Sequence, residues 1–213
     1  MVSAIFFDLD GTLIDSETFY VEETYRWLLD NGIDRSYEDA CKIIGLTMDA
    51  TYEYLSKLTG LSYDFVMDSY DSHFLKHPLD FGKYLFSDIE DTFVRLKEKG
   101  MTIAICSMSD REYVHNAMKD CHIDEYIDYY VGGNEVKRQK PFPDVYLKAL
   151  EVLNVDRKNV IVVEDSTAGI KAGKSAGLYV VARNADRFKM DQSKADIIVD
   201  DLRELIGVID RYE

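Results

Sequence analysis

Residues 2–9 form a short run of β-branched, aromatic and aliphatic positions closed by Gly11, which predicts a fully buried strand. Between residues 18 and 30 the apolar positions fall at 20, 21, 25, 28 and 29, a helical spacing, and Asn31-Gly32 ends that helix. Helical stretches are predicted again near 37–44, 49–58 and 62–76, with Pro78 and Gly82 as punctuation. The pattern then changes. An amphipathic helix over 89–99 is capped by Gly100, and an apolar strand follows over 101–106. Helix 110–118, strand 126–131, helix 142–153, strand 160–163, helix 168–176 and strands 179–182 and 197–199 complete the chain. Strands alternating with helices through short links imply βαβ units and a parallel sheet.

The expected architecture is therefore α/β: a Rossmann-like, doubly wound core over residues 1–15 and 83–213, interrupted by an all-helical insertion over 16–82. Sheets of this kind bind ligands outside the carboxyl ends of their strands. Those ends carry Asp8-Leu9-Asp10-Gly11-Thr12, Ser107-Met108-Ser109, Lys140 in Lys140-Pro141-Phe142-Pro143, and Glu164-Asp165-Ser166. Four carboxylates, a lysine and a serine are expected to converge on one crevice.

Carboxylates packed without a counter-charge repel and raise one another's pKa. A hard divalent cation resolves this, and magnesium prefers oxygen donors and commonly shares a substrate phosphate. Asp8, Asp165, Glu164 and a carbonyl near Asp10 are the candidate ligands, with Glu164 equally placed to sit behind the metal. Lys140 would balance the nucleophile and a phosphate, and Ser107 with the amides around Met108 and Ser109 would donate to phosphoryl oxygens. An Asp at a strand end can attack phosphorus, and a second can move a proton to and from the reacting oxygens. Asp8, at the end of the buried strand, is the more rigidly held of the pair.

Composition narrows the partners. The 213 residues carry 25 Lys+Arg against 40 Asp+Glu, a net charge of -15. That balance argues against nucleic acid and anionic membrane surfaces, which require clustered cations, but not against a small phosphorylated metabolite met by a metal ion. Cys41, Cys106 and Cys121 form no even framework, as expected of reduced thiols. The N-terminal apolar run is short, lacks a basic leader and ends in acid, so it does not read as a signal peptide. A cytoplasmic monomer is the default expectation.

With these motifs assembled in order, the chain resembles the haloacid dehalogenase-like hydrolase superfamily, in the branch with a helical cap after the first strand and nearest to β-phosphoglucomutases and phosphoglycolate-type or sugar-phosphate phosphatases. The resemblance implies Asp8 as nucleophile, Asp10 as general acid/base, magnesium on Asp8, the Asp10 carbonyl and Asp165 with Glu164 beside them, and Ser107, the Met108 amide and Lys140 on the transferring phosphate. It implies a phosphatase, with a mutase or a catalytically inactive binding protein as alternatives. Met48 and Ile44 stand where the mutases carry an Arg and a Lys, and Tyr20 where they carry a His. Ser87-Asp88 replaces the usual Pro-Gly of the returning linker. Tyr20, Tyr52 and Tyr54 are candidate pocket residues and Trp27 a core residue of the insertion. His73, Lys76 and His77 are expected to be exposed at a helix end, and Thr12, Asp15 and Ser16 to cap the first inserted helix.

Overall fold

A computed structural model describes residues 1–212. The chain divides into two compact units, one of residues 1–15 with 81–213 and one of residues 16–80.

The larger unit is built on a six-stranded sheet: β1 (Ala4–Phe7), β2 (Thr102–Cys106), β3 (Tyr129–Val131), β4 (Val160–Glu164), β5 (Tyr179–Arg183) and β6 (Ile197–Val199). All neighbours pair parallel in the order β3-β2-β1-β4-β5-β6. The register sets Phe7 opposite Ile105 on one side and Val163 on the other. Because β1 is central and apolar on both faces, it is buried throughout. Helices cover the sheet, and side chains of β1, β2, β4 and β5 form one core with Tyr146, Ala149, Ile170 and Ala172. This strand order reverses direction between β1 and β4, the switch point at which such sheets take ligands.

The smaller unit contains Ser16–Asp30, Tyr37–Cys41, Met48–Thr59 and Tyr63–Lys76 as helices. Ser36, Thr47 and Ser62 cap the last three through side-chain acceptors, satisfying amides that would otherwise lack partners. Trp27, Leu28, Leu55, Val66 and Tyr70 form its core, as expected for Trp27. His73 departs from expectation. It is 8% exposed, with Nε2 2.9 Å from Glu23 Oε2, so the two polar side chains satisfy one another inside the unit. Tyr52 is also buried and donates to Asp71, and the Tyr54 hydroxyl donates to the Asp39 carbonyl. A cavity of about 290 Å³ in this unit is lined by residues including Glu17, Tyr20, Met48 and Tyr70 and, among the described residues, by no Lys or Arg.

The segments flanking the insertion are tied together inside the larger unit. The Asp15 amide donates to the Tyr84 carbonyl at 2.8 Å and the Phe86 amide to the Leu13 carbonyl at 3.0 Å. Phe81–Tyr84 is a short helix where Gly82 alone predicted a break. Among the described residues, no helix is long and apolar enough to cross a membrane.

Candidate active site

Asp8 follows β1 and Glu164 ends β4, so two carboxylates flank the switch point. The Asp8 amide donates to the Val163 carbonyl at 2.9 Å, continuing the ladder and fixing where its side chain leaves the sheet. The Lys140 ammonium reaches both acids: Nζ lies 2.5 Å from Asp8 Oδ1, 2.6 Å from Glu164 Oε1 and 3.0 Å from the Cys106 carbonyl. Its side chain is only 4% exposed, so it is part of the buried centre rather than a solvated surface charge.

Glu164 is wholly buried. Oε1 accepts from Lys140 and from the Tyr146 hydroxyl, and Oε2 from the amides of Asp165 and Ser166 and the Ser166 hydroxyl. Through that array Glu164 is fixed in place, and its Oε1 holds Lys140. Gly169 is required beneath it, since a Cβ there would lie 1.7 Å from Glu164 Oε1.

Asp165 is held by two other groups. Thr12 Oγ1 donates to its Oδ1 at 3.1 Å, and Gln192 Nε2 donates to its carbonyl at 2.6 Å. Thr12 thus serves the site. The Asp15 Oδ1 accepts from Arg187. Gly11 adopts φ 81°, and a Cβ there would fall 2.2 Å from Asp165 Oδ2, so both conformation and space demand glycine. The Asp10 carboxylate accepts from Ser109 Oγ at 2.8 Å and from the Tyr113 hydroxyl at 3.0 Å. Ser107, 1% exposed, accepts the Ser109 amide on its Oγ at 3.0 Å, which leaves its own proton to be donated. Met108 beside it takes the Lys140 amide on its sulfur at 3.4 Å.

Burial, working against the Lys140 attraction and reinforced by Glu164 and Asp10, pushes the Asp8 pKa up to about 7. Burial pulls on Lys140 in the opposite sense, but Asp8 and Glu164 outweigh it and hold the ammonium protonated. The Tyr146 phenol, buried and next to Glu164, is pushed well up and stays a donor.

The site has the donor chemistry for a metal. Oxygens of Asp8, Glu164 and Asp165 lie within 4.8 Å of one another, and an all-carboxylate set matches a hard cation. Asp8, Asp10, Ser107, Met108, Lys140, Glu164 and Asp165 all lie in the larger unit. Tyr113, Tyr146 and Gln192 complete the arrangement beyond what the sequence predicted, as do the hydroxyl contacts of Thr12 to Asp165 and of Ser109 to Asp10.

The sequence model of the haloacid dehalogenase-like hydrolase family matches residues 5–183. The chain belongs to that family. It is 29% identical over 209 residues to the phosphoglycolate phosphatase of Aquifex aeolicus, covering 98% of this chain and 97% of the relative. It is 30% identical over 184 residues to the phosphorylated carbohydrates phosphatase of Thermotoga maritima, covering 83% and 82%. The fold matches the crystal structure of β-phosphoglucomutase from Clostridium difficile with TM-score 0.71 at 22% identity, over 100% of this chain and 97% of the other. The protein is thus a hydrolase of the haloacid dehalogenase-like family whose curated relatives include phosphohydrolases of nearly the same length.

Proposed function

We propose that this family member is a cytoplasmic, magnesium-dependent phosphatase. It hydrolyses a phosphate monoester of a small metabolite, a sugar phosphate or a phosphoglycolate-like compound, through an aspartyl-phosphate on Asp8. The observation that carries the reading is the buried ammonium of Lys140 shared between Asp8 and Glu164, with Asp165 beside them and Asp10 held by two hydroxyls. The relatives named above support the substrate class.

In the first step an Asp8 carboxylate oxygen attacks phosphorus, the bond from phosphorus to the leaving oxygen breaks, and Asp10 gives that oxygen its proton. In the second, Asp10 takes a proton from water, the water oxygen attacks phosphorus, and the bond to Asp8 breaks. Inorganic phosphate leaves with both side chains restored. Lys140 keeps Asp8 oriented and offsets the charge gathered on the phosphoryl oxygens, while the Ser107 hydroxyl and the Met108 amide donate to them. Asp8, Asp165 and the Asp10 carbonyl would hold magnesium, with Glu164 behind through Lys140. When bound, the ion supplies the positive charge that lets a phosphate approach these carboxylates. The cavity of the helical unit offers no Lys or Arg as an anchor for a second phosphate, in keeping with hydrolysis.

The test is phosphate release from a panel of sugar phosphates and phosphoglycolate, with magnesium and with chelator. Release from at least one compound, lost with chelator and in Asp8→Asn, is expected. Conversion of β-glucose 1-phosphate to the 6-phosphate without net release would instead make the protein a mutase.

A further inference from the structure

The Asp10 carboxylate is bracketed by two hydroxyl donors from one short stretch of chain. Ser109 lies in the loop after β2, and Tyr113 lies one turn further on, in the first turn of the helix Arg111–Asp120. Ser109 reaches Asp10 from the loop and Tyr113 from the helix that the loop leads into, so one connection delivers both donors. Each takes a different oxygen: Ser109 Oγ bonds Oδ2 and Tyr113 OH bonds Oδ1. A carboxylate gripped at both oxygens cannot rotate about its last torsion without breaking a bond. Tyr113 is itself braced. Its ring meets that of Phe81 edge-on, with centroids 4.9 Å apart and planes at 83°. Phe81 is the first residue of the larger unit after the helical insertion.

We propose that Ser109 and Tyr113 are positioning residues that hold the Asp10 carboxyl aimed for proton transfer to the leaving oxygen, with Phe81 bracing Tyr113. The assignment rests on Asp10 being the proton donor of the proposed phosphatase. Its consequence depends on the leaving group. A proton donor matters little when the departing oxygen is already a weak base and matters much when it is not, so misplacing Asp10 penalises poor leaving groups selectively.

The experiment compares kcat/KM for p-nitrophenyl phosphate and phenyl phosphate, which differ in leaving-group basicity and little in size. It uses the full-length wild type, Tyr113→Phe, Ser109→Ala and Phe81→Ala with saturating magnesium, and far-UV circular dichroism and melting confirm folding. Tyr113→Phe and Ser109→Ala are each expected to lose about tenfold on phenyl phosphate and less than about threefold on p-nitrophenyl phosphate. Phe81→Ala should follow in the same direction by a smaller factor, and Ser109→Thr should restore the ratio. An equal loss on both substrates, or none, in the Tyr113 and Ser109 variants overturns the assignment. Asp10→Asn is measured in parallel. If it shows the selective loss and the other variants do not, positioning alone is wrong. If Asp10→Asn shows no selective loss, the proton-donor role falls first and the positioning role falls with it.

Discussion

Lys140 Nζ stands 2.6 Å from Glu164 Oε1 and 2.5 Å from Asp8 Oδ1, bridging the two carboxylates. Glu164 is in turn fastened to Tyr146 and to the Asp165 and Ser166 amides that lead into the helix Thr167–Ser175. The position of the ammonium beside Asp8 is therefore dictated by an acid that is itself immobilised. Removing one member of a buried ion pair leaves an uncompensated charge, at a cost of about 3–5 kcal/mol. Lys140→Met is expected to lower unfolding free energy by about that amount and to abolish turnover. Glu164→Gln keeps the shape and loses the charge, so it should fold with a smaller stability loss yet turn over at least about tenfold more slowly. Urea unfolding and phosphate release check both, and a fully active Glu164→Gln would contradict the anchoring role.

Gly169→Ala reverses an ordinary expectation. Exchanging glycine for alanine inside a helix normally stabilises by about 0.5–1 kcal/mol. Here the new methyl would meet the Glu164 carboxylate, so the variant should be less stable than wild type and lose activity together with it. A melting temperature equal to or above wild type with full activity would show that Glu164 can move aside.

The pH dependence has a definite sign. Asp8 in the folded protein titrates at about 7, above its ordinary 3.8. A raised folded pKa gives a contribution that is complete below the unfolded value and lost as pH rises through the folded one. Relative to Asp8→Asn, chelated wild-type protein should therefore lose stability between about pH 4 and pH 7. Magnesium favours the ionised carboxylate and should raise the melting temperature more at about pH 7.5 than at about pH 5. Thermal denaturation of both proteins, with and without metal, measures this. Parallel curves at all pH values would contradict it.

The sequence made the acids legible because they sit at or just past the points where apolar strands give way to polar residues, and such ends face the crevice in a parallel sheet, whereas Lys140 stands well beyond β3 and was legible from the Lys140-Pro141-Phe142-Pro143 segment. Strands β4 and β6 were readable for the same reason, as short apolar runs with clear ends. Tyr113 and Tyr146 were not readable. They lie within helices, and their bonds to Asp10 and Glu164 span 103 and 18 residues, so periodicity carries no trace of them. The strand expected over 126–131 begins only at Tyr129, because Asp124–Tyr126 winds into a 3-10 turn. His73 misled because a polar side chain near a helix end beside Lys76 reads as solvated, and its partner Glu23 is 50 residues away.

The returning linker shows the same limit. Ser87-Asp88 was legible as a departure from Pro-Gly, but its use was not. Asp88, 4% exposed, accepts from Arg183 at 2.8 and 2.9 Å and from the Leu202 amide at 2.6 Å. Arg183 also lies over the Phe86 ring at 4.0 Å. Asp88→Ala strands a buried guanidinium and an amide, and should destabilise by about 3–5 kcal/mol in urea unfolding. A loss below about 1 kcal/mol would mean that water or another acid replaces it.

The central claim is that phosphorus is carried on Asp8 during turnover. Acid quenching of the magnesium-loaded enzyme during turnover of a released-phosphate substrate, followed by peptide mapping by mass spectrometry, tests it most directly. The account predicts one phosphoryl group on the peptide containing Asp8, absent in Asp8→Asn. A phosphoryl group on any other residue, or steady turnover in Asp8→Asn, would contradict it.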